Sequence, residues 1–179
     1  MLNKDNTVFV LVDVQGNLAG IMHDKQQLFA NIHKLIKSLK ILNVPIIWLE
    51  QYPDGIGETI PLIASLLKPL KPISKMSFSG YDNPEFKQVL EKTGRKQVIL
   101  AGIESHVCVY QTAMGLHQAD YEVEVICDAV SSRTQSNKQI ALLKMQKQGI
   151  NLTSTEMVLF ELLKTAEDEN FREIIKLIK

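Results

Sequence analysis

Three residues of chemically useful type follow strand-like runs. Asp13 comes directly after Thr7–Val12 (TVFVLV), in Val-Asp-Val-Gln-Gly. Lys75 follows a brief strand, in Ser-Lys-Met-Ser-Phe. Cys108 ends the turn Gly102-Ile-Glu-Ser-His-Val-Cys, which leaves the run Gln97–Ala101 (QVILA) and opens a helical stretch. A carboxylate, an ammonium and a thiol together suit nucleophilic attack on a carbonyl carbon. A thiol attacks as thiolate, so its ordinary pKa of about 8.5 has to be overcome. A helix start and the Lys75 charge are both expected to lower it at Cys108. Asp13 can take the thiol proton and hand it to a leaving amine. Backbone N–H groups in the 102–108 turn can hold the oxyanion. The reaction such a set supports is amide hydrolysis. Each residue also has an ordinary structural reading: a turn former, a solvated loop lysine and a small core side chain.

The three meet only if their strands run side by side. Apolar runs alternate with amphipathic ones along the chain, the pattern of a parallel sheet covered by helices on both faces. Val44–Leu49 (VPIIWL), a short strand before Lys75, Gln97–Ala101, Glu122–Cys127 and Ile150–Thr153 follow Thr7–Val12 as strands. Asp24 with Gln27, and Ser136 with Gln139, have the spacing of capping boxes. Leu28, Ile32, Leu35, Ile36 and Leu39 repeat at helical spacing behind the first. Helices are also expected near 60–67, after Asn83-Pro84, over 107–119, and twice at the C-terminal end. The whole span 1–179 reads as one α/β domain. In open parallel sheets ligands bind beyond the carboxyl ends of the strands, where strand order reverses. Asp13, Lys75 and Cys108 all lie at that edge.

Asp13 within Val-Asp-Val-Gln, Lys75 before Ser77-Phe78, and Gly-Ile-Glu-Ser-His-Val-Cys-Val leading to Gln111-Thr-Ala resemble the isochorismatase-like hydrolases. Asp128-Ala-Val-Ser-Ser-Arg133 is similar to the isochorismatase domain-containing subfamily. The resemblance covers nearly the whole chain. It implies a three-layer α/β/α, Rossmann-like fold with a six-stranded parallel sheet, and an Asp13–Lys75–Cys108 triad acting through a thioester. It also implies a cis peptide between Ile103 and Glu104, which would bring the Glu104 and Cys108 N–H groups into one oxyanion hole.

Nicotinamidases of that family carry a histidine-containing metal segment after the second strand. Here the segment reads Leu49-Glu-Gln-Tyr-Pro-Asp-Gly, so a metal-independent reaction without cofactor is expected. Retention of Cys108 favours acyl chemistry over the vinyl-ether hydrolysis of true isochorismatases. The loops at 15–24, 50–60 and 76–83 are expected to set specificity, with Gln15, Tyr52, Phe78 and Tyr110 as substrate contacts. Glu104 can orient a substrate amine or serve the turn. His106 is expected to make a structural hydrogen bond, and Cys127 to be core.

Composition bounds the partners. Lys+Arg and Asp+Glu are both 20, so the formal net charge is zero. No basic stripe marks a nucleic-acid surface. No apolar stretch reaches membrane-spanning length. Two cysteines in 179 residues fit free thiols in the cytoplasm. A small-molecule substrate is expected, with no nucleic acid or membrane partner, and self-association at least to a dimer. Two other classes stay open: an interaction protein retaining the triad as a relic, and a nucleotide-binding module. The second lacks the G-x-G-x-x-G turn, offering Asp-Val-Gln-Gly in its place.

Overall fold

A computed structural model describes residues 1–179. Six parallel strands form the sheet: β1 (Thr7–Val12), β2 (Ile46–Gln51), β3 (Ile73–Lys75), β4 (Gln97–Ile103), β5 (Glu122–Ser131) and β6 (Asn151–Thr153). Their order is β3-β2-β1-β4-β5-β6. The chain therefore lays β2 and β3 to one side of β1 and then returns to place β4 on the other. The reversal lies between β1 and β4, which opens a crevice at their carboxyl ends.

The period-2 geometry of a strand divides β1 between two cores. Phe9 and Leu11 face helices α2 (Lys25–Ile41), α4 (Pro61–Leu67), α8 (Thr155–Leu163) and α9 (Phe171–Ile178). Val8, Val10 and Val12 face α5 (Pro84–Lys92), α6 (Tyr110–Gln118) and α7 (Gln135–Lys147). Two short helices, α1 (Gly16–Gly20) and α3 (Pro53–Ile56), lie over the crevice end.

Several boundaries differ from those the sequence suggests. Asp24 precedes α2 in a left-handed conformation (φ 51°) and makes no side-chain cap; its carbonyl accepts from Leu28 N–H at 3.1 Å. The α7 cap is Thr134, whose hydroxyl accepts from Asn137 N–H at 3.2 Å, and not Ser136. Strand β5 runs on to Ser131 because it bulges: Leu100 faces Val125, whereas Gly102 faces Val130. The helical stretch after β4 begins with a wide turn, Ser105–Val109, in which Val109 N–H reaches back five residues to the Glu104 carbonyl. That turn sets Cys108 two residues before the ordinary helix begins.

Candidate active site

Strand β1 ends in a tight contact with β4. Gly102 has φ 122°, and a Cβ there would lie 2.0 Å from the Val12 carbonyl oxygen. Only glycine permits this approach, and it brings Asp13 beside the 103–108 turn. Asp13 itself is left-handed, with φ 51°, an uncommon state for a residue with a side chain. Its main chain is tied on both sides: Asp13 N–H donates to the Leu49 carbonyl, and Gln15 N–H donates to the Asp13 carbonyl at 2.8 Å.

Lys75, the last residue of β3, crosses the ends of β2 and β1 to reach it. Its ammonium donates to Asp13 Oδ2 at 2.7 Å and to Gln51 Oε1 at 2.7 Å. The Phe78 and Ser77 carbonyls accept from the same nitrogen at 3.2 and 3.3 Å. Both members of the ion pair are buried. Asp13 Oδ1 is buried as well and has no hydrogen-bond partner. Cys108 is close enough for thiol and carboxylate to shift each other's titration.

Asp13, Gln51 and Cys108 share a cavity of about 210 Å³, below the usual range of small-molecule sites, about 300–1,000 Å³. Leu18, Ile56, Phe78, Ile103 and Val107 wall it; Asp13, Gln51, Glu104 and Cys108 supply the polar lining. No arginine or lysine side chain lines it. The Ile103–Glu104 peptide is cis. Glu104 is buried, and its Oε2 accepts from Arg133 N–H at 3.0 Å and from Arg133 Nε at 3.2 Å. No three or more His, Cys, Asp or Glu side chains are grouped so as to hold a metal ion.

The Isochorismatase domain model matches residues 7–157. The chain belongs to the isochorismatase family. Isochorismatase domain-containing protein 2 of Danio rerio is 36% identical over 177 residues, covering 99% of this chain and 89% of that one. Among solved structures, MAR1 ribonuclease from Caenorhabditis elegans is 34% identical with a TM-score of 0.92, covering 99% of this chain and 91% of that one. The Escherichia coli YcaC gene product, described as an octameric hydrolase of unknown specificity, shares the fold at a TM-score of 0.93 and 24% identity, over 99% of this chain and 88% of that one. The six-stranded α/β/α fold expected from the sequence is thus the fold of isochorismatase-like hydrolases.

Within this family member, the residues singled out as substrate contacts divide. Phe78 lines the cavity. Gln15 does not, because its amide is wholly engaged with backbone: Nε2 donates to the Gln51 and Gly57 carbonyls, and Oε1 accepts from Gln51 N–H at 2.6 Å. Tyr52 has a left-handed backbone that lays its ring against Gly55, outside the cavity. Tyr110 sits under the Lys144 ammonium, 4.7 Å from its ring centre, in a separate depression. Of the other edge aromatics, Trp48 donates to Thr59 Oγ1 and Tyr81 packs on Tyr121. His106 Nδ1 lies 2.9 Å from Ser132 Oγ, a structural contact at the turn.

One expectation reverses. The Cys108 thiol is not lowered but pushed up to about 12, by burial first and then by the Asp13 charge, against the lowering influence of Lys75. Asp13 is raised too, again by burial, with Lys75 acting the other way. Gln51 was not singled out in the sequence, because the second strand runs two residues past Leu49, the end its apolar run suggests, and so carries Gln51 to the crevice edge.

Proposed function

We propose that the protein is a metal-independent cysteine hydrolase of small amides or related carbonyl compounds. The observation that supports this most is the buried Asp13–Lys75 pair, whose free oxygen, Asp13 Oδ1, shares one small cavity with Cys108. The raised thiol pKa means that the resting protein holds Cys108 protonated, next to the Asp13–Lys75 pair. As Sγ attacks the carbonyl carbon, the thiol proton passes to Asp13, which its own raised pKa makes a better base. The N–H groups of Glu104 and Cys108 receive the oxyanion, and Lys75 balances the charge moving through Asp13. Collapse breaks the C–N bond, Asp13 returns its proton to the departing amine, and a thioester remains. Water, deprotonated by Asp13, then cleaves the thioester and restores the thiol. Phe78 forms one apolar wall for the acyl group.

The Caenorhabditis elegans relative is named a ribonuclease. A phosphodiester finds no basic side chain in this cavity, so amide chemistry is favoured here. The exposed Ile140 and Leu143 on α7, with Met157 and Phe160 on α8, suit self-association, as the octameric YcaC does. Cys108 and Cys127 are free, which fits the cytoplasm. The test is hydrolysis of a panel of small amides, with acyl-enzyme captured by rapid acid quench and intact-mass measurement. A mass increase confined to protein that retains Cys108, and absent from Cys108→Ala, is expected. Turnover by Cys108→Ala at the wild-type rate would overturn the proposal.

A further inference from the structure

Glu104 carries a charge that the reaction above leaves unused. Its backbone belongs to the proposed oxyanion hole; the residue lines the cavity and is buried, with both hydrogen bonds of its carboxylate on Oε2. Oε1 makes none. The counter-charge, Arg133, stands outside the cavity lining with its side chain 56% exposed, and it meets only Oε2, at 3.2 Å. Asp13 and Lys75, the other charged groups at the site, pair at 2.7 Å and cancel. The cavity lining therefore holds a carboxylate with one oxygen free to accept, and no lysine or arginine to receive an anion. The Glu104 charge is felt at the nucleophile, since it contributes to the rise in the Cys108 thiol.

We propose that Glu104 is a specificity-determining residue: its free Oε1 accepts from an N–H group of the substrate and turns away carboxylates. The substrate class is then a small amide, uncharged or cationic, that presents an N–H donor beside the reacting carbonyl. Dicarboxylates and phosphate esters are excluded. Discrimination of this kind has a physical asymmetry. A carboxylate oxygen at a cavity wall left facing a second carboxylate suffers both repulsion and the loss of a donor, and such mismatches cost more than an imperfect apolar fit. The inference rests on Cys108 being the nucleophile that the substrate must approach.

Iodoacetamide and iodoacetate test it, because they differ only in exchanging an amide for a carboxylate. Alkylation rates at Cys108 and Cys127 are read by peptide mass, and each amide-to-acetate ratio is divided by that of free cysteine in the same buffer. Changes in thiolate fraction cancel in the ratio. Wild-type Cys108 is expected to favour iodoacetamide at least tenfold beyond free cysteine, with no such excess at Cys127. Glu104→Gln is expected to bring the Cys108 excess within threefold of free cysteine. Arg133→Gln, which keeps the carboxylate and removes its counter-charge, is expected to raise the excess. A ratio unchanged by Glu104→Gln, or an excess that falls in Arg133→Gln, would overturn the assignment. The ratio is read whether or not any amide is hydrolysed, so a failure of the hydrolase reading and a failure of this one are separate results.

Discussion

Lys75→Met is expected to destabilise the fold much more than Lys75→Met combined with Asp13→Asn. At 2.7 Å and an effective dielectric of about 20, the attraction between the two charges is about 6 kcal/mol. Removing two ions from water costs several kcal/mol each, so the intact pair adds little net stability. Removing Lys75 alone leaves a buried carboxylate uncompensated, at a cost of about 3–5 kcal/mol. In a chain of this size that lowers the melting temperature by roughly 10 °C. The double variant, with neither charge, should lie within about 2 kcal/mol of the wild type. The difference has a pH signature. Burial already raises the Asp13 pKa above 3.8, and Lys75 opposes that rise; without Lys75 it climbs further. A carboxyl that binds its proton more tightly folded than unfolded gains stability as pH falls through its folded pKa, until the unfolded value near 3.8 is reached. The Lys75→Met deficit should therefore shrink between pH 7 and pH 5, and this site should add no such slope in the double variant. Urea titrations at both pH values measure it. A deficit under about 1 kcal/mol, a deficit that grows on acidification, or a double variant as unstable as the sum of the singles would refute the reasoning.

Asp13→Asn should abolish hydrolysis yet speed alkylation of Cys108 at neutral pH by about tenfold, since each pKa unit multiplies the thiolate tenfold and the Asp13 charge holds the thiol high while Lys75 lowers it. Slower alkylation in that variant would show that Asp13 does not restrain the thiol. Dialysis against a strong chelator should leave the turnover of any hydrolysed amide unchanged, and activity restored by stoichiometric metal would contradict the metal-independent reaction. Gly102→Ala should cost at least about 3 kcal/mol, from a strained backbone and an overfilled contact together, because φ is 122° and Val12 O lies 2.0 Å from the new Cβ; a urea midpoint near that of the wild type would refute it.

What was legible in the sequence follows from parallel-sheet geometry. Every strand of such a sheet ends at the same edge, so a chemical residue directly after a strand can be placed without knowing any contact. That holds for Asp13, Lys75 and the 102–108 turn. Side-chain direction was not legible, because it depends on partners distant in the chain. Gln15 is turned inward by the Gln51 backbone, 36 residues away, and Tyr110 is held over by Lys144. The caps failed for a local reason. Thr134 and Ser136 are both hydroxyls near the start of α7, and the extended backbone at Thr134, φ −125° and ψ 147°, makes it the cap. The end of β5 was misplaced because a bulge carries the strand past the polar Asp128, whose carboxylate accepts from Thr155 N–H and Oγ1.

The reversed thiol pKa changes what the proposed triad is for. A helix start and a nearby ammonium suggest a standing thiolate, and thiolate character with exposure is what makes a cysteine prone to oxidation. Here burial and Asp13 keep Cys108 protonated near pH 7. The nucleophile is then generated only when a carbonyl occupies the cavity and the oxyanion donors give the departing charge somewhere to go. Asp13 Oδ1, buried without a partner, is the acceptor that makes this possible. Lys75 serves that carboxylate more than the thiol, since its short contacts run to Asp13 and Gln51. On the proposed reaction, an arrangement of this kind trades reactivity toward stray electrophiles for dependence on a fitted substrate, which puts selectivity in the 210 Å³ cavity and its Glu104 lining more than in the thiol itself.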